Sequence, residues 1–172
     1  GLVVKPAHDG SSIGVTKLAE PTVAALRKAL EDAAGVRGDE VLVEEYIHGR
    51  EFTVAVLDGR ALPVIEIRAP EGDYDFNNKY FGDAVHYDCP AKLEDEASAT
   101  LGSLCERAFA AVGARGWSRI DALQRADGSF ALLEINTSPG MTPHSLVPMA
   151  ARAVGMDYAD LCLKVLSLAR CD

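Results

Sequence analysis

The residues best suited to chemistry stand in GWSRIDALQRADGSFALLEINTSPGMTPHSL, residues 116–146. Two strand-like runs, 117–125 and 129–135, flank Asp127-Gly128, a hairpin signal. With Asp127 and Gly128 as the two central turn residues, Ala126 faces Ser129, Asp121 faces Glu134, and Arg119 faces Asn136. Alternation then puts Trp117, Arg119, Asp121 and Leu123 on one face beside Leu132, Glu134 and Asn136. Opposed carboxylates stand about 5 Å apart at Cβ and repel unless a cation or a shared proton offsets them. Asp, Glu and an Asn amide are hard oxygen donors, which suits Mg²⁺ or Mn²⁺ rather than zinc, and Mg²⁺ commonly shares such a site with substrate phosphates. Two other arrangements stay open: Arg119 neutralises both acids on an exposed hairpin, or a three-residue loop shifts the register and separates them.

Weaker constellations lie elsewhere. The strand end Lys5-Pro6 leads into Asp9-Gly10-Ser11-Ser12-Ile13-Gly14, whose small residues let backbone N–H groups point at a phosphate. A plain hairpin loop has the same composition, and the P-loop pattern is absent. Glu44-Glu45-Tyr46-Ile47, followed by Glu51, can offer backbone groups to an adenine edge and a carboxylate to a ribose, although an edge strand with exposed acids reads the same way. Ser145 ahead of a helix suits a carboxylate ligand or simply caps that helix, and His144 beside it decides nothing.

Periodicity supplies the elements that must carry these residues. Residues 2–5 form a short apolar run and 15–18 a return strand. From Pro21 to Gly35, apolar Val23, Leu26, Leu30 and Ala33 or Ala34 mark a helix with one buried stripe. Segments 41–47, 51–57 and 61–67, separated by His48-Gly49 and Asp58-Gly59-Arg60, predict an antiparallel meander. Residues 70–85 hold four aromatics and no period, as a functional or disordered loop does. A second helix is expected over 93–113, with Ala97, Leu101, Leu104, Ala108 and Val112 on one face. Two short helices follow over about 146–154 and 157–170, the last opened by Asp157. Antiparallel strands with interspersed helices place the chain in the α+β class.

Composition narrows the partners. A chain of 172 residues with 48% hydrophobic and 25% charged residues is long enough for one domain or two small lobes around a real core. Its net charge of −9 repels an extended polyanion, so no nucleic-acid partner is expected, although a local cluster of Lys and Arg can still hold a small phosphate ligand. No apolar run approaches the roughly 20 residues that span a bilayer, and no signal-peptide pattern opens the chain, so a cytoplasmic protein without a membrane partner is expected. Cys89, Cys105, Cys162 and Cys171 form no C-x-x-C pair and are expected as free thiols. The chain opens on GLVVK without Met, as a fragment would.

In order, VKPAHDGSSIG (4–14), VLVEEYIHGREFTVAVL (41–57), YDFNNKYF (74–81), GWSRIDAL (116–123) and LLEINTSPGMTPHSLVPMAA (132–151) resemble the ATP-grasp ligases, most closely the D-alanine–D-alanine ligases. The resemblance implies an ATP-grasp fold, a largely antiparallel sheet flanked by helices, spanning residues 1–172 as the C-terminal part of a longer ligase. Residues 1–57 would include the nucleotide-binding strands and 58–172 the metal- and substrate-binding part. It further implies ATP-dependent ligation of two D-alanines through a D-alanyl phosphate, for peptidoglycan synthesis, cell wall biogenesis and cell shape. Lys5 would contact ATP phosphates, Ser11 would support the active-site loop, and Glu44, Glu45, Tyr46 and Ile47 would surround adenine with Glu51 on the ribose. Glu45 stands where relatives often carry Lys, which leaves its backbone contact rather than its side chain. Lys79 would reach the transferred phosphate, with Tyr80 helping the 70–85 loop close against water. Asp121, Glu134 and Asn136 would hold two Mg²⁺ or Mn²⁺ ions. Arg119 and the Gly140 N–H would stabilise the tetrahedral oxyanion, and Ser145 with the Leu146 N–H would hold the second D-alanine's carboxylate. The implied partners are D-alanine and the missing N-terminal half, with a homodimer among the allowed assemblies. Another ATP-grasp carboxylate–amine or depsipeptide ligase, or a non-catalytic MgATP-binding module, is the alternative.

Overall fold

A computed structural model describes residues 1–8, 10, 12–37, 40–68 and 85–170. The chain divides into two compact units, the first built on Gly1–His48 and the second on Gly49–Arg68 with the residues from His86 onward.

The first unit is a three-stranded antiparallel sheet under one helix. Strands β1 (Leu2–Pro6), β2 (Thr16–Leu18) and β3 (Val41–Glu45) lie in the order β2-β1-β3. Helix α1 (Val23–Arg37) begins after Thr22, whose hydroxyl accepts from the Ala25 N–H at 3.2 Å as an N-cap does. Its buried stripe is Leu26, Ala29 and Ala33 against Val4, whereas Val23 and Leu30, expected inside, are exposed. Small alanines at the contact let the helix lie close to β1.

In the second unit β4 (Glu51–Leu57) is central to a six-stranded sheet of order β7-β6-β4-β8-β9, with β5 (Arg60–Ala61) also on β4. The others are β6 (Ile65–Arg68), β7 (His86–Asp88), β8 (Trp117–Gln124) and β9 (Phe130–Asn136). Every residue of β4 from Phe52 to Leu57 is buried, because both faces are covered. Phe52, Val54 and Val56 pack with Ile120 and Ala122 against Leu101, Cys105 and Phe109 of α2 (Asp95–Ala111). Ala55 and Leu57 meet Val147, Ala150 and Ala151 of α3 (Leu146–Ala153) and Leu161 of α4 (Tyr158–Leu168). Burying one such large apolar side chain contributes about 1.5–3 kcal/mol.

The expected meander does not form. Strand β3 pairs with β1, Leu2 facing Glu45 and Pro6 facing Val41, and belongs to a different sheet from β4. Gly49 is not a turn device: a Cβ there would stand 1.8 Å from the Gln124 carbonyl oxygen, so the residue admits the end of β8. Asp58-Gly59 is a two-residue turn with φ of 53° and 75°, and Leu57 faces Arg60 across it.

Candidate active site

The hairpin β8–β9 builds the site, and its register arises from two irregularities that cancel. The turn is a three-residue loop, Ala126–Asp127–Gly128: the Arg125 N–H donates to Ser129 O at 2.8 Å, and Gly128 has φ +86°. Asp127 stabilises the loop by accepting from both the Ser129 N–H (2.9 Å) and the Ser129 hydroxyl (2.6 Å). Gln124 therefore faces Phe130, Leu123 faces Ala131 and Ala122 faces Leu132, one residue off the two-residue-turn expectation. A bulge beyond Ala122 then takes up Leu133, and the strands resume with Asp121 facing Glu134 and Arg119 facing Asn136, as expected.

The bulge also reverses which parity of β9 points inward. Phe130 and Leu132 on one side of it and Ile135 on the other all pack against the α2-facing core, so Leu132 does not share the acids' face as alternation alone implies. Glu134 and Asn136 are left on the opposite face with Asp121 and Arg119.

Asp121 is the hub. Only 8% of it is exposed, and its carboxylate accepts from Arg119 Nε (2.9 Å) and Nη2 (2.8 Å), Thr53 Oγ1 (2.6 Å) and Asn136 Nδ2 (3.2 Å). Thr53 is fully buried on β4 directly across from Asp121. The sequence reading missed it; the signal is a single hydroxyl residue inside the apolar run FTVAVL. Asn136 Nδ2 also donates to Glu134 Oε1 at 3.1 Å, so its amide bridges the two acids. Arg119 thus offsets the like-charge pair on Asp121's side, the bidentate geometry that arginine makes best.

The three side chains fit a hard divalent cation. The amide touches both carboxylates, and a half-turn of it presents its oxygen instead of Nδ2. Among the described residues no three His, Cys, Asp or Glu side chains are grouped for a metal, so the set is two acids and an amide, which suits Mg²⁺ or Mn²⁺ better than zinc.

Beyond β9 the chain folds back on itself. Ser145 precedes α3 but its hydroxyl does not cap the helix: it accepts from the Thr142 N–H (3.0 Å) and pairs with Thr142 Oγ1 (2.9 Å). A Cβ on Gly140 would come within 3.0 Å of Ser145 Oγ, so glycine allows this close approach.

A family model described as D-ala D-ala ligase C-terminus matches residues 1–167. The chain belongs to this family. It is 51% identical to a D-alanine–D-alanine ligase of Bordetella petrii over 174 residues, 99% of the chain and 52% of the relative. It is 52% identical to that of Aromatoleum aromaticum over 169 residues, covering 98% and 54%. Among solved structures, the Bacillus anthracis D-alanine–D-alanine ligase complexed with ATP has TM-score 0.76 and 28% identity over 97% of this chain and 50% of that one. The VanG D-Ala:D-Ser ligase of Enterococcus faecalis has TM-score 0.82 and 32% identity, covering 97% and 49%. The chain spans about half the length of these relatives.

The ligase family's α+β architecture is thus present, with antiparallel sheets and flanking helices. Of the residues expected around a nucleotide, Lys5, Glu44, Glu45, Tyr46 and Ile47 lie in the first unit and Glu51 begins β4 of the second. Lys5 Nζ and Glu44 Oε2 are 2.6 Å apart, and the Tyr46 ring meets His48 edge-on at 6.2 Å. Ser11, Lys79 and Tyr80 lie outside the described residues. Cys89, Cys105 and Cys162 are free thiols, and Cys171 lies outside the described residues. No described helix is long and apolar enough to cross a membrane.

Proposed function

We propose that the chain is the ATP- and divalent-metal-binding half of a cytoplasmic enzyme that joins two D-alanines for peptidoglycan synthesis. The observation that carries the reading is the convergence of Asp121, Glu134 and Asn136 beside Arg119, one loop ahead of Gly140 and Ser145, in a chain about half identical to D-alanine–D-alanine ligases. ATP would phosphorylate the carboxylate of the first D-alanine, releasing ADP. The amine of the second would attack the acyl carbon, lose a proton and expel phosphate.

Asp121, Glu134 and Asn136 would hold two Mg²⁺ or Mn²⁺ ions, which neutralise phosphate charge when bound. Lys5 would leave Glu44 for an ATP phosphate, the 44–47 segment would border adenine, and Glu51 would take the ribose. Asp121 orients Arg119, whose charge would stabilise the oxyanion with the Gly140 N–H. Ser145 and the Leu146 N–H would hold the acceptor's carboxylate at the start of α3, where the helix dipole favours an anion. Ser11, Lys79 and Tyr80 keep the roles the resemblance gives them, toward the active-site loop and the transferred phosphate. The preceding half of the ligase would supply the first D-alanine's site, and a homodimer is its proposed assembly.

The test is ATP-dependent phosphate release by the intact ligase with D-alanine, against Asp121→Asn and Glu134→Gln. Removing either acid should slow release by at least about 100-fold, the scale on which losing one electrostatic stabiliser acts. Equal rates in all three proteins would end the ligase reading and leave a nucleotide-binding module. The likeness to a D-Ala:D-Ser ligase makes the acceptor a separate question. D-Serine and D-lactate offered against D-alanine answer it, and dipeptide from D-alanine is expected to dominate.

A further inference from the structure

The loop between β9 and α3 is held from outside by two side chains that no role above uses. Three consecutive carbonyls are each bonded: Met141 O accepts from the Tyr158 hydroxyl (2.5 Å), Thr142 O from the Ser145 N–H (2.9 Å), and Pro143 O from Arg152 Nη1 (2.7 Å). A peptide unit is planar, so fixing a carbonyl fixes the N–H on its far side. Tyr158 therefore aims the Thr142 N–H, which is the group that donates to Ser145 Oγ at 3.0 Å. Arg152 in the same way aims the His144 N–H.

Both side chains have firm bases. Arg152 follows the buried Ala150 and Ala151 of α3, and Tyr158 lies one turn before Leu161 of α4, which is fully buried in the same core. An ordinary tyrosine phenol keeps its proton well above neutral pH, so Tyr158 donates to Met141 O throughout the physiological range. Neither side chain reaches Ser145 itself; each acts through one peptide plane.

We propose that Tyr158 and Arg152 are positioning residues for the acceptor subsite, clamping residues 141–144 so that the Ser145 hydroxyl keeps the orientation that receives the acceptor's carboxylate. This rests on Ser145 being the acceptor's anchor, as proposed above. The clamp itself does not need that assignment, and the two are tested apart.

The first arm is hydrogen exchange at the Thr142 and Ser145 amides in the chain. Tyr158→Phe, which keeps the ring, should speed Thr142 exchange by about tenfold, the weight of one hydrogen bond. Arg152→Gln should speed Ser145 exchange, since the Ser145 N–H is held by Thr142 O within the clamped loop, with Arg152→Lys restoring part of the protection. The second arm is steady-state kinetics of the intact ligase. Both Tyr158→Phe and Arg152→Gln should raise the acceptor's KM by about three- to tenfold while the KM for ATP stays unchanged. Unchanged exchange in both variants overturns the clamp. Faster exchange with acceptor and ATP constants moving together, or neither moving, overturns its role in the acceptor subsite. Were the parent ligase to form no dipeptide, the exchange arm would still decide the clamp, and the function would fail by itself.

Discussion

Replacing Asp121 by Asn removes one charge from a nearly isosteric side chain and exposes how the site is balanced without ligand. The side chains of Arg119 and Asp121 are 13% and 11% exposed, so Asp121→Asn leaves a mostly buried guanidinium facing an amide. Removing one member of a fully buried pair costs about 3–5 kcal/mol. Two features reduce this here. Glu134 stands opposite and can turn to Arg119, and the repulsion between the acids, worth about 0.2–1 kcal/mol, disappears. The expected net loss is about 2 kcal/mol, or about 4–8 °C in Tm for a chain of this size. Urea unfolding followed by fluorescence of Trp117, the only tryptophan and the first residue of β8, reads it directly. The second leg of the cycle uses Arg119→Met. Without the guanidinium the two acids repel unopposed, so Asp121→Asn should reverse sign and stabilise by about 0.5 kcal/mol. An Asp121→Asn protein as stable as its parent, or the same effect in both backgrounds, would refute the electrostatic account of the hub.

Glu66 is 6% exposed and takes Arg50 Nε and Nη2 at 2.8 Å each, which holds its carboxyl below the ordinary glutamate value. A depressed folded value gives stability that is complete at neutral pH and lost as pH falls below roughly 4. Glu66→Gln should cost about 1–2 kcal/mol at pH 7, with Arg50 partly in solvent, and flatten that acid limb in pH-dependent urea titrations. Deleting Leu133 removes the bulged residue yet leaves Ala122 facing Leu132 and Asp121 facing Glu134. Its cost should stay near about 1 kcal/mol with the Asp121–Glu134 cross-strand NOE retained. Deleting Ala131 should cost more, by swinging Phe130 away from its edge contact with Phe52, 5.9 Å between ring centres. The Cys105 thiol is fully buried on the core face of α2, and burial pushes it up to about 12. Iodoacetamide at pH 8 should leave it unlabelled in the native chain and label it only in urea, as read by mass spectrometry.

Local signals made the hairpin and its acids legible, because turn residues and alternation act within a few positions. The register came out right at Asp121 and Glu134 although the turn holds one residue more than expected, since Leu133 restores the phase. Nothing in ALLEIN distinguishes the bulged leucine from its neighbour. Long-range pairing was less legible. VLVEEYI looks like the first strand of a meander, but β3 pairs with β1 some 40 positions earlier, a choice made by tertiary packing. Gly49 carries a turn's composition while serving the close approach of Gln124 O. The stripe on α1 was legible at Leu26 and Ala33, which pack inside, and not at Ala29, which is too small to stand out beside the exposed Val23 and Leu30. Thr53, Arg152 and Tyr158 act through partners distant in sequence, which periodicity does not report.

The most direct measurement is titration of Mn²⁺ with ATP into the chain and its Glu134→Gln variant, followed by electron paramagnetic resonance. If Asp121, Glu134 and Asn136 hold the cations, the parent should bind two Mn²⁺ per nucleotide, and Glu134→Gln should lose one or weaken it at least about tenfold, the loss of a single charged ligand. Identical stoichiometry and affinity in both proteins would contradict the account.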